Sequence, residues 1–241
     1  MPTTTWERTD QPHATTTGSK MNPSRMTAVL VGALFLVATA TFFVSSALIT
    51  PMLGGPGYLS AVGKNSTLVV AAALLALTDG LAVVGIAAAL YPVLSARHPA
   101  LALAYAGMRI AELAIIAAYV LSPLLLVSLS RSETAADSAT TAALLVALRY
   151  WTLMFIYLFN GIAGLMLSYV LLRTRLVPQT LALLGLVGYA ALFVGAVLDT
   201  LGFLNTAAGA GMVALVPGGL FELGLPIWLF VRGFRSIELE R

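Results

Sequence analysis

Asp79, Arg109, Glu112 and Glu222 each stand roughly ten residues or more from the nearest polar stretch, inside runs that are otherwise apolar. A charged side chain at the centre of a bilayer costs about 2.5–3.5 kcal/mol on insertion scales, so such groups mark either chemistry or a contact that defines the fold. Their spacing narrows the choice. Tyr105, Arg109, Glu112, Ile116 and Tyr119 follow one another by three or four and share one helix face, so Arg109 and Glu112 can touch directly. A pair within one helix offsets part of the cost of both charges, and the face that carries it must point into protein. Asp79 lies about twelve residues, or ~18 Å, from the outer end of its run, Glu222 lies at a similar depth, and Asn160 completes the set. If these five meet, three acids face one arginine. Such an excess does not stay fully ionised in low dielectric, so at least one carboxyl carries a proton or a cation accompanies the cluster. The chemistry open to it is proton or cation coupling, solute binding or acid–base catalysis; the bland alternative is a polar core that only holds helices in register.

Glu222 has a second distinction. Pro226, four residues on, lacks the N–H that would bond to the Glu222 carbonyl. With Pro217, Gly218, Gly219 and Gly224 nearby, a kinked helix is expected, tolerated at membrane depth where it is buried in protein or lines a cavity. Nearer the outer side, Arg149 and Asp199 have comparable depth and could pair, beside an aromatic belt of Tyr150, Trp151 and Phe203. Gly185, Gly188, Gly195, Asp199 and Gly202 form a small-residue stripe, as do Gly161, Gly164 and Ser168. Both read as packing surfaces, within the chain or between subunits.

The elements that must position these residues follow from composition. Of 241 residues, 59% are hydrophobic and 10% charged, against about 45–50% and 25% in soluble domains. The solvent is lipid. Apolar residues fall in six runs, about 27–49, 67–94, 100–129, 142–172, 179–204 and 210–231, each able to cross a hydrocarbon core of about 30 Å as a helix. They are apolar on every face, whereas barrel strands alternate. The expected fold is all-α: a six-transmembrane-helix bundle with both termini cytoplasmic and a polar cluster near the bilayer midplane.

Orientation rests on the cations. Arg8, Lys20, Arg25, Arg97, Arg173, Arg175, Arg232, Arg235 and Arg241 fall on the tails and the second and fourth loops, while the other loops carry only Lys64 and Arg131. This is a positive-inside bias. The net charge of +3 is therefore a topology signal, and the single arginines at helix ends do not form a nucleic-acid patch. Without cysteine there is no disulfide, thiolate nucleophile or iron–sulfur ligand, and both histidines, His13 and His98, lie outside the spans. No cofactor or metal is expected.

Residues 1–24, rich in Thr, Pro, Ser and charge, read as a disordered cytoplasmic tail and 237–241 as a short second tail, with a six-helix membrane domain at 25–236. The first outer loop, 50–66, holds Pro51, Gly54, Gly55, Pro56, Gly57 and Gly63 and is expected as a turn-rich linker, with a short lid as the alternative. The third loop, 131–141, with Glu133 and Asp137, is expected as a solvated connection.

Leu90-Tyr91-Pro92-Val93-Leu94, Arg109-x-x-Glu112, Arg173-Thr174-Arg175-Leu176-Val177-Pro178 leading into Leu184-Gly185-Leu186-Val187-Gly188, then Glu222-Leu223, Trp228 and Val231-Arg232-Gly233-Phe234-Arg235 occur in an order and spacing that resembles a bacterial multi-pass membrane family, domain of unknown function 4386. The resemblance spans about residues 25–236 and implies about six helices in the bacterial inner membrane, with no assigned activity or substrate. Where the family often has a glycine/proline-containing stretch after a Trp-Thr, this chain has Leu153-Met154-Phe155-Ile156-Tyr157-Leu158-Phe159-Asn160, so that part of any shared site is altered. The expected role is a non-catalytic scaffold, sensor or accessory membrane subunit. A proton- or cation-coupled transporter of small solutes is the alternative, and a lipid enzyme ranks below both because no nucleophile motif accompanies the acids. The lipid bilayer is the expected partner, nucleic acid is not, and a homo-oligomer and a small-molecule ligand are left open.

Overall fold

Long runs that are apolar on every face, separated by short polar or glycine-rich stretches, produce long helices joined by tight turns. The structure is a computed structural model that describes residues 23–131, 135–213 and 215–235. Its helices are α1 (Pro23–Leu53), α2 (Tyr58–Lys64), α3 (Ser66–Ser95), α4 (Pro99–Ser130), α5 (Ala135–Thr174), α6 (Gln179–Thr200), α7 (Ala210–Val213) and α8 (Val216–Val231). Six of these regions are long and apolar enough to cross a membrane: α1, α3, α4, α5, α6 and the stretch Gly211–Val231 that contains α8. Each span packs on the next in sequence, and α8 returns to α1, closing a ring.

Local chemistry sets the ends. Proline opens α4 and α8, where its missing N–H costs nothing. Gly202, at φ 79°, terminates α6: its N–H bonds to the Asp199 carbonyl at 2.9 Å and that of Phe203 to the Leu198 carbonyl at 2.8 Å, the Schellman pattern that needs a left-handed residue. At the C-terminal end of α8, Arg25 donates to the Phe230 carbonyl at 3.3 Å, and the Arg235 N–H bonds to the Leu176 carbonyl at 2.9 Å, tying the segment after α8 to the α5–α6 turn.

Several expectations change here. The first loop is not a plain linker: α1 continues through Pro51 to Leu53, and α2 occupies most of what remains. Val62 buries against Leu126 and Val127 of α4, so α2 seals that end of the α3–α4 hairpin and lines no part of the cavity that holds Asp79, Arg109 and Glu222. The third loop is shorter than 131–141, because α5 already starts at Ala135; Glu133 lies outside the described residues. The fifth run ends at Thr200 rather than 204, since Gly202 caps the helix, and the sixth divides into α7 and α8. Gly202 is therefore a turn residue, not part of the packing stripe. The expected tails, 1–24 and 237–241, lie outside the described residues apart from Pro23 and Ser24, which open α1.

Gly161, Gly164, Gly185 and Gly188 of the stripes are used inside the chain. A Cβ on Gly164 of α5 would clash with the ring of Tyr189 on α6, and one on Gly185 would lie 2.7 Å from the Phe221 ring on α8. Gly188 faces the backbone of Pro217 and Gly218. Absent side chains thus let α5, α6 and α8 approach, and Tyr189 and Phe221 fill the space edge to face with ring centroids 5.6 Å apart.

Candidate functional site

The helix face anticipated on α4 is buried throughout: Tyr105, Arg109, Glu112, Ile116 and Tyr119 are each at most 2% exposed. Arg109 is the largest fully buried side chain among the described residues. Its Nη1 donates to Glu112 Oε2 at 2.7 Å and to Asn160 Oδ1 at 2.9 Å, linking α4 to α5. The guanidinium also lies over the Tyr105 ring, 5.3 Å from its centroid. Glu112 and Arg109 form the one ion pair recorded among the described residues.

Glu222, on α8, is held from two further helices. Tyr189 of α6 donates to Oε1 at 3.2 Å and Thr39 of α1 to Oε2 at 3.3 Å, while Asn160 also faces this carboxyl. Asp79 of α3 differs from both glutamates. It is 8% exposed and has no hydrogen bond or ion pair with another described residue. Its carboxyl lies within electrostatic reach of Glu112, Glu222 and Arg109.

All five residues anticipated here, Asp79, Arg109, Glu112, Asn160 and Glu222, line a single cavity of about 320 Å³. That is the size of a small-ligand pocket, or on the order of ten waters at ~30 Å³ each. Polar groups gather on one part of its wall, and Phe35, Phe42, Ile156, Tyr157 and Leu192 supply much of the rest. Phe43, Met212 and Val216 line the cavity and are each more than half exposed, which puts its mouth between α1 and the α7–α8 segment. Pro226 is buried outside the lining, and α8 runs through it unbroken, so its effect is on α1–α8 packing rather than on a ligand.

The outer pair is corrected. Arg149 does not meet Asp199; its guanidinium stacks 4.0 Å from the centroid of the Tyr119 ring. Asp199 instead closes the turn after α6, accepting from the Thr206 N–H at 2.7 Å, Thr206 Oγ1 at 2.6 Å and Tyr150 Oη at 2.6 Å. Depth brought the two charges to one level, but helix rotation turned them to different neighbours. A double-mutant cycle on Arg149→Met and Asp199→Asn should give a coupling below about 0.5 kcal/mol, whereas Asp199→Ala alone should cost about 1–3 kcal/mol in unfolding titrations through its orphaned donors.

Thr39 and Tyr189 were not singled out from sequence. A lone threonine in an apolar run is unremarkable because it can satisfy itself on its own helix. For Tyr189 a signal existed, since the Gly164 and Gly185 stripes imply a bulky group between them.

Six apolar spans in a ring around a partly polar cavity define an α-helical multi-pass membrane protein. The family described as Domain of unknown function (DUF4386) matches residues 30–233, and the chain belongs to it. Comparison with curated proteins and with solved structures found no match.

Proposed function

We propose that this protein is a non-catalytic membrane sensor or accessory subunit that holds a small solute inside its helix ring. The observation that carries the reading is the convergence of five helices' worth of polar side chains on one cavity: Thr39, Asp79, Arg109 with Glu112, Asn160 and Glu222. A polar core serving packing alone would close on itself. Here the groups border open volume with an apolar wall and a mouth at the lateral surface.

The cations at the ends of α3, α5 and α8 and at the start of α1 support a cytoplasmic position for both termini. Arg109 and Tyr189 each lie ten residues beyond the first residues of their helices, Pro99 and Gln179, about 15 Å at 1.5 Å per residue and hence near the middle of a ~30 Å core. The bacterial inner membrane fits this topology. Because one chain closes the ring, a homo-oligomer is not needed to build the cavity.

The test uses the full chain in lipid nanodiscs, with empty nanodiscs as reference and the neutral probe 2-phenylethanol. Gly219 lines the cavity and a Cβ there meets nothing within 4 Å, so Gly219→Phe fills the space without displacing backbone. Saturable binding by the wild type and at least tenfold weaker binding by a folded Gly219→Phe are expected, a difference of ~1.4 kcal/mol. Equal binding by both would overturn the assignment. In proteoliposomes the probe's bound fraction should saturate without concentrative uptake under a proton gradient; uptake would establish transport instead.

A further inference from the structure

The polar groups of the cavity are not equally engaged. Glu112 is taken by Arg109, and the two oxygens of Glu222 accept from Tyr189 and Thr39. Asp79 borders the same volume at 8% exposure, yet no described residue donates to it. Its oxygens are not among the sealed, unpartnered polar atoms of the described residues, which are Tyr105 Oη, Arg109 Nε, Ser168 Oγ and Trp228 Nε1, so they open onto the cavity. What would satisfy it is a donor brought in from outside.

The sign of that donor follows from the neighbours. Three carboxyl groups and one guanidinium line the cavity, and the guanidinium faces Glu112 and Asn160 through Nη1, while its buried Nε has no partner among the described residues. The remaining field favours a cation and disfavours an anion. The carboxyls of Asp79, Glu112 and Glu222 do not close on one another in the manner of metal ligands, since no such group is found among the described residues. An ammonium needs fewer oxygens than a metal ion, and aromatic faces attract it by about 0.5–2 kcal/mol. Phe35, Phe42 and Tyr157 provide such faces, and a mouth flanked by the exposed Phe43, Met212 and Val216 admits an apolar body.

We propose that the cavity takes an organic ammonium with an apolar body, the ammonium bound at Asp79 beside Glu222 and the body against the aromatic wall. The proposal rests on the solute-binding reading above and deepens it by naming the ligand's chemistry. No bond is made or broken.

Three probes of one size and different charge separate the two claims: 2-phenylethylammonium, 2-phenylethanol and phenylacetate, titrated by calorimetry into the full chain in nanodiscs of neutral lipid. The ammonium is expected to bind at least tenfold more tightly than the alcohol, and phenylacetate more weakly than either. Asp79→Asn keeps the shape and removes the charge, so the ammonium's advantage over the alcohol should fall below about threefold. Equal wild-type affinity for ammonium and alcohol, or an advantage that survives Asp79→Asn, overturns the ammonium claim while leaving the solute cavity standing. Failure of all three probes overturns both. The charge series on the wild-type protein needs no variant, and Asp79→Ser provides a second one if Asp79→Asn does not fold.

Discussion

Arg109→Met should destabilise the bundle by about 3–5 kcal/mol, the range for removing one partner of a buried ion pair. The side chain is 2% exposed, joins α4 to α5 through Glu112 and Asn160, and is the lone guanidinium on a cavity wall with three carboxyl groups. Its loss leaves those acids with no counter-charge. Glu112→Gln should cost less than half as much. It removes one acid of the excess, and the amide oxygen can still accept from Nη1, so the loss reduces to a charged hydrogen bond becoming a neutral one, about 1–2 kcal/mol. The double variant Arg109→Met/Glu112→Met should regain part of the loss, because a well-packed apolar pair replaces a buried ionic one at little cost. Equilibrium unfolding in bicelles measures all three. Equal losses for Arg109→Met and Glu112→Gln would show that the pair stands alone and that Asp79 and Glu222 contribute no field.

Gly188→Ala should be nearly as damaging, for a different reason. A Cβ there would lie 2.6 Å from Gly218 Cα and 2.7 Å from the Pro217 carbonyl carbon, and backbone has no rotamer by which to withdraw. The start of α8 must move off α6, at a cost of about 3 kcal/mol, the upper part of the range for overpacking. Gly218, Gly219 and Val216 line the cavity, so the same shift should deform the site and weaken solute binding. Gly107 on α4 is the control. Nothing lies within 4 Å of its Cβ position, and it is an exposed helix interior site, so Gly107→Ala should stabilise by about 0.5–1 kcal/mol. Parallel melting curves of the two variants decide the matter; similar curves would mean that the α6–α8 approach is not tight.

Both predictions combine something visible in the sequence with something that was not. The i, i+3 step from Arg109 to Glu112 could be read directly, because neighbours along a helix are set by its 3.6-residue repeat and need no tertiary information. The six spans were equally legible, since apolar length is a local property. The Gly54–Gly57 stretch was read correctly as a break, with Gly57 at φ 82°, but the helical turn after it was missed because α2 owes its place to Val62 packing on α4.

Sequence alone determined the helical class, the number of spans, the face of α4 that turns inward and the identity of the five polar residues worth testing. Tertiary structure decided their partners. Thr39 and Glu222 meet across 183 residues, Arg149 stacks on Tyr119 rather than pairing with Asp199, and Asp79 has no donor among the described residues. The reason is physical. Spans that are apolar all round carry no stripe to show which way they face, so depth can be counted along the chain, but rotation about each axis is set only when glycines, aromatic rings and hydrogen bonds from neighbouring helices lock together.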